Sequence, residues 1–185
     1  MIRIDVDHEL RAMALARDLA SPFTRFSQPY GRPEFPKSFV GFLGEVVLEK
    51  VLRQLEIPCA RAAKTTHDYV IFGRTWEAKT QYCSVPPRKH HEANVSDLTY
   101  DHQRVFGYIF MRAQATNKFD IQSYFLVYVC GVFTREQLLQ YGVHHEAGET
   151  ANKLTFPQSC QSLKLFHLTP VSKIEEVIKC NRSSL

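Results

Sequence analysis

Residues 68–81 read Asp-Tyr-Val-Ile-Phe-Gly-Arg-Thr-Trp-Glu-Ala-Lys-Thr-Gln, and no other stretch of the chain constrains its fold as tightly. Two runs rich in β-branched and aromatic residues, Asp68–Phe72 and Thr75–Gln81, flank a glycine, which is the pattern of a short β-hairpin. With Gly73 and Arg74 as the two loop residues, Phe72 is expected opposite Thr75, Val70 opposite Glu77 and Asp68 opposite Lys79. Alternation along a strand then puts Asp68, Val70, Glu77, Lys79 and Gln81 on one face, and Tyr69, Ile71, Trp76 and Ala78 on the other. The apolar face can pack against a core, and the charged face is left for chemistry.

A chain of 185 residues with 44% hydrophobic content is long enough to bury a core as one domain spanning 1–185. Its longest apolar runs, near Tyr108–Met111 and Tyr124–Phe133, have strand length and cannot span a bilayer. The start, Met-Ile-Arg-Ile-Asp-Val-Asp, lacks the pattern of a signal peptide, so a cytoplasmic protein without a membrane partner is expected. Five cysteines (Cys59, Cys83, Cys130, Cys160, Cys180) without a Cys-x-x-Cys argue for reduced, partly buried thiols rather than a disulfide framework or zinc ribbon. The net charge of +4 is modest, but its distribution is not even. Between Cys59 and His91, Arg61, Lys64, Arg74, Lys79, Arg88 and Lys89 outnumber Asp68 and Glu77 by as much as the whole net charge, +4. An anionic partner such as nucleic acid would be drawn there, unless the region is only a solvated basic face.

Asp5 or Asp7 can cap a first helix reaching about Ala20. Residues 21–38 follow, with Pro22, Pro29, Pro33 and Pro36 among aromatic and basic residues. Such proline density excludes a regular helix and predicts an arm, able to track a nucleic-acid backbone or to pin itself to the protein body by its aromatics. A second helix is expected over Phe39–Ile57, its apolar stripe running through Phe39, Phe42, Leu43, Val46, Val47, Val51, Leu52 and Leu55. Glu45 lies at the margin of that stripe, where a carboxylate needs a cation or a salt-bridge partner. After the hairpin comes a basic loop, 84–97, carrying Pro-Pro-Arg-Lys-His-His, then strands near Phe106–Met111 and Ser123–Phe133. Thr134-Arg-Glu-Gln137 matches a capping box for a short helix. Residues 142–161 read as loop with at most an edge strand, Leu163–Leu168 as a strand, and the segment after Thr169-Pro170 as a last helix with a Ser172-x-x-Glu175 box. The expected architecture is α/β, a mixed central β-sheet flanked by helices.

Two carboxylates on adjacent strands offer the hard oxygen ligands that Mg²⁺ or Mn²⁺ takes alongside water and substrate phosphate. A lysine on the same face adds a cation for the transition state of phosphodiester hydrolysis. Glu45 on a helix, Asp68, then Glu77-Ala-Lys79 on a hairpin resemble the PD-(D/E)XK nuclease superfamily, which includes restriction endonucleases, Holliday-junction resolvases and some homing endonucleases. The resemblance covers Phe39–Tyr82 in motif and reaches about Phe133 in element order; His67 stands where the motif's name has proline. It implies a restriction-endonuclease-like core and a divalent-metal-dependent endodeoxyribonuclease. By it, Asp68 and Glu77 hold the metal, Glu45 reaches it directly or through water, and Lys79 is the catalytic lysine. Arg74, Gln81, Arg88 and Lys89 around the hairpin, with Arg32 and Lys37 in the arm, are the expected DNA contacts. Cutting both strands would take two sites, hence a homodimer.

A different class of function stays open: a non-catalytic module that holds duplex or branched DNA on the same basic face. A zinc site from Cys83, His90, His91, His102, His144 and His145 lacks paired ligand spacing. There is neither a glycine-rich phosphate loop nor a Gly-x-Ser-x-Gly elbow.

Overall fold

The computed structural model describes residues 1–21, 38–62, 67–151 and 154–181, so the proline-rich arm, with Arg32 and Lys37, lies outside the described residues. Strands β1 (Ile2–Asp5), β2 (Cys59–Arg61), β3 (Tyr69–Ile71), β4 (Arg74–Cys83), β6 (Gly107–Ala115) and β7 (Tyr124–Thr134) form a six-stranded sheet in the order β1-β7-β6-β4-β3-β2. The pairs β1/β7, β2/β3 and β3/β4 are antiparallel. Between β4 and β6 the direction is parallel: the Phe106 N–H donates to the Thr75 carbonyl at one end, and the Gln114 side-chain amide donates to the Ser84 carbonyl at the other. The sheet is therefore mixed and the protein α/β, as the order of sequence patterns predicts. No helix among the described residues is long and apolar enough to cross a membrane.

The chain divides into two compact units, and β4, β6 and β7 contribute residues to both. The first comprises residues 1–58, 78–87 and 111–130. In it α1 (His8–Ala20) is capped by Asp7, whose carboxylate accepts from the Leu10 N–H at 2.8 Å. Helix α2 (Phe39–Gln54) buries Phe39, Leu43, Val46, Val47, Val51 and Leu52, most of the stripe its spacing predicts. It stops at Gln54 rather than Ile57, because Glu56 takes a left-handed φ of 55° that ends the helical path before Pro58. A β-carbon on Gly44 would lie 1.8 Å from the Thr80 hydroxyl oxygen, so α2 meets β4 at a point where only glycine fits.

The second unit comprises residues 59–77, 88–110 and 131–185. Its core includes the fully buried Tyr69, Ile71, Trp76, Tyr108 and Phe133. A second sheet has the order β5-β11-β8, from β5 (Glu92–Ser96), β8 (Val143–His145) and β11 (Cys160–Lys164). A two-stranded ribbon pairs β9 (Thr150–Ala151) with β10 (Leu154–Thr155). Helix α4 (Arg135–Tyr141) has the full capping box, with Thr134 and Gln137 bonded reciprocally at 3.1 and 2.9 Å. Helix α5 (Ile174–Cys180) follows a one-turn 3-10 segment, Val171–Lys173, and the Ser172 box is not made. Further expectations are corrected, the first of them at residues 142–161, read as loop with at most an edge strand, which hold β8, β9, β10 and the start of β11. The basic loop ends at His91, because residues 92–96 form β5, followed at once by α3 (Asp97–His102). The final strand is Cys160–Lys164, and Leu165–His167 turns as a 3-10 helix instead of extending it.

Candidate active site

The β3–β4 hairpin turns one residue earlier than its spelling suggests. Tyr69 pairs with Trp76, Val70 with Thr75 and Ile71 with Arg74, leaving Phe72 and Gly73 as the loop. Both loop residues have positive φ, 49° and 74°, the requirement of a type I′ turn, whose twist matches that of the strands it joins. Gly73 thus occupies the second loop position, and Phe72 takes a left-handed conformation that glycine or asparagine would adopt more easily. Because the pairing moves by two residues in total, every β4 residue keeps its face.

The moved register changes the partner of Asp68. It does not face Lys79; its backbone N–H donates to the Trp76 carbonyl at 3.1 Å, next to Glu77. That bond is one residue out of step with the ladder, the mark of a β-bulge, and bulges re-aim side chains. On the other side, the Asp68 carbonyl accepts from the Ala62 N–H at 2.8 Å. Asp68 is held by its backbone from both neighbours.

Glu77 is 6% exposed, an uncommon depth for a carboxylate, while Asp68 is half-buried. Near Glu77 lies Tyr108 on β6. Burial pushes the Tyr108 hydroxyl up to about 12, against the Arg135 guanidinium, which pulls it down; it stays protonated at neutral pH. Lys79 and Gln81, both half-buried, follow Glu77 on β4 at alternate positions and share its side of the strand.

Glu45 on α2 has a cation beside it that sequence spacing does not reveal. Arg17 of α1 forks onto Glu49 at 2.9 and 2.6 Å, and its Nη1 lies 3.9 Å from Glu45 Oε2. The Glu45 side chain, 13% exposed, is thus set in an acid–arginine cluster between two helices. Of the expected DNA contacts, Arg88 and Lys89 stand exposed on the loop after β4. Arg74 is no longer a loop residue: it opens β4 on the Trp76 side, its guanidinium 5.3 Å above the Phe106 ring.

The first unit also has a polar row missed in the sequence. The Tyr128 hydroxyl donates to Gln114 Oε1 at 2.9 Å, and Arg112 lies close enough to Cys83 and Cys130 to act on both thiols. Burial raises both, Cys130 to about 12, with Arg112 opposing, so they stay neutral thiols. The signal was available: strand alternation continued past Met111 carries Arg112 and Gln114 to one side of β6. None of the five cysteines forms a disulfide among the described residues, in keeping with their odd number.

Among the described residues no three His, Cys, Asp or Glu side chains come together as a metal-holding group. Two carboxylates that converged with water and phosphate would suit Mg²⁺, whereas a closed zinc site takes four protein ligands. Compared with models of known protein families, with characterised proteins and with solved structures, the chain matches none.

Proposed function

We propose that the protein is a divalent-metal-dependent endonuclease that hydrolyses DNA phosphodiester bonds, built on a restriction-endonuclease-like core. The observation that carries this reading is the end of the β3–β4 ladder, where the backbone of Asp68 is bonded to the residue before a deeply buried Glu77. Lys79 follows two positions on, on the side of β4 that Glu77 takes.

Asp68 and Glu77 would hold Mg²⁺ or Mn²⁺, which when bound lowers the pKa of a water and neutralises charge on the scissile phosphate. The Lys79 ammonium orients a phosphate oxygen or the attacking water and offsets charge growing in the transition state. Tyr108, neutral beside Glu77, adds no competing charge. Glu45 enters by resemblance alone as the helix-borne acid: α2 packs on the Thr80 side of β4, and Arg17 lies 3.9 Å from Glu45. Arg88, Lys89 and Gln81 are the proposed backbone contacts.

The test is cleavage of plasmid, linear, single-stranded and branched DNA with Mg²⁺ or Mn²⁺. Glu77→Gln and Lys79→Ala should each lose about a hundredfold or more in rate while DNA binding in chelator persists. No cleavage of any DNA by the wild type would leave the binding-module reading, and cleavage by Lys79→Ala and Asp68→Ala at the wild-type rate would place the activity outside this site.

A further inference from the structure

In the second unit the 3-10 turn that follows β11 carries an aromatic ladder. The Tyr141 ring, at the end of α4, stacks on the His167 imidazole at 5.2 Å and 9°, and the Phe166 ring lies 4.1 Å from the same imidazole, tilted by 40°. The two end members are open: Phe166 is 59% and Tyr141 48% exposed. A ladder whose purpose is packing buries its ends; this one presents them.

The same turn is bonded to the basic loop. The Phe166 N–H donates to the Lys89 carbonyl at 3.0 Å and the Leu165 N–H to the His91 carbonyl at 2.8 Å, so exposed Arg88, Lys89 and His90 are fixed beside the rings. Flat apolar faces next to cations are what an unpaired polynucleotide needs, since its bases stack and its phosphates pair with positive charge. A stacked duplex covers its own base faces and would use only the cations.

We propose that Tyr141, Phe166 and His167 with Arg88, Lys89 and His90 form a platform for single-stranded DNA, so that the substrate class is DNA carrying an unpaired segment, such as a flap or a branch. This rests on the reading of the chain as a DNA enzyme, but its test does not use catalysis. Full-length protein is titrated in chelator against a fluorescein-labelled oligothymidylate and a duplex of equal length, read by anisotropy. Wild type should prefer the single strand. Phe166→Leu and Tyr141→Leu should each weaken single-strand binding by about fivefold or more and reduce the preference. Arg88→Ala with Lys89→Ala should weaken both substrates and flatten the salt dependence. Melting temperatures, read alongside, should stay near wild type because the substituted rings are exposed.

Equal binding of both substrates, or leucine variants that lower both affinities equally, would overturn the platform. So would a concentration-dependent dimer that Phe166→Leu dissolves, since the rings would then be covered by a second copy. Absence of cleavage with every metal would overturn the nuclease reading and leave this measurement standing.

Discussion

A methyl group added at position 44 would meet Thr80 at 1.8 Å from Oγ1 and 2.8 Å from Cβ, a distance real side chains do not show. Helix propensity alone favours Gly44→Ala by about 1 kcal/mol, so the sign of its effect reports the contact. We expect it to destabilise by about 1–3 kcal/mol, the cost of overpacking. Gly41→Ala in the same helix, with nothing within 4 Å of the added carbon, should instead be neutral or stabilise by up to about 1 kcal/mol. Thr80→Ala removes Oγ1 and Cγ2, two of the three nearest atoms, and should recover part of the loss in a double-mutant cycle read by urea unfolding. The Thr80 hydroxyl makes no hydrogen bond among the described residues, so its removal adds no such penalty there. The close approach fixes the height of α2 on the face of β4 that bears Thr80, the face opposite Lys79.

At the scale of the element, the hairpin and the small sheet show what sequence pattern can and cannot carry. The capping box of α4 was legible because its partners lie within four residues, Thr134 to Gln137. The hairpin was legible as a hairpin, yet a glycine suits either loop position, so spelling does not choose between Phe72-Gly73 and Gly73-Arg74. A shift of two residues leaves the alternation along β4 unchanged but changes the partner of Asp68. Strand β5 hid inside a basic loop because its partner β11 is distant in sequence, Ser96 pairing with Cys160. Arg17 was equally out of reach, as its acids sit on another helix.

The small sheet also titrates. The hydrogen bond to Asp97 at 2.8 Å, ahead of the charges of Asp97, Glu146 and Glu149, raises His144 above 6.5. The hydrogen bond with His145 at 2.9 Å, ahead of one from the Glu146 N–H, lowers Glu149 below 4.5. A histidine raised on folding stabilises fully below 6.5 and ceases to as pH climbs through its raised value. A glutamate lowered on folding stabilises above 4.5 and ceases to as pH falls through its lowered value. The β8 edge should therefore be tightest between those two limits and loosen on either side. Amide exchange of Val143–His145 checks this: His144→Gln should flatten the alkaline limb, and Glu149→Gln the acid limb.

For the molecule as a whole, α/β class and a mixed sheet follow from the order of local patterns, whereas the pairing of β1 with β7 joins the start of the chain to residues 126–129 and leaves no local trace. The proposed activity makes its own demand at this scale. One two-carboxylate site breaks one phosphodiester bond per encounter, and the strands of a duplex run in opposite directions. A two-fold pair of copies presents its sites with that same symmetry. If the protein works as a homodimer, supercoiled plasmid should pass to the linear form with little open circle, and the rate should rise faster than linearly with protein concentration in the range where copies associate. Mixing wild type with excess Glu77→Gln should then convert linear product to open circle, because mixed pairs carry one working site. Open circles at every concentration, with a rate proportional to protein and untouched by the added variant, would show a single site acting alone. That outcome would suit an enzyme that trims one strand at an unpaired segment.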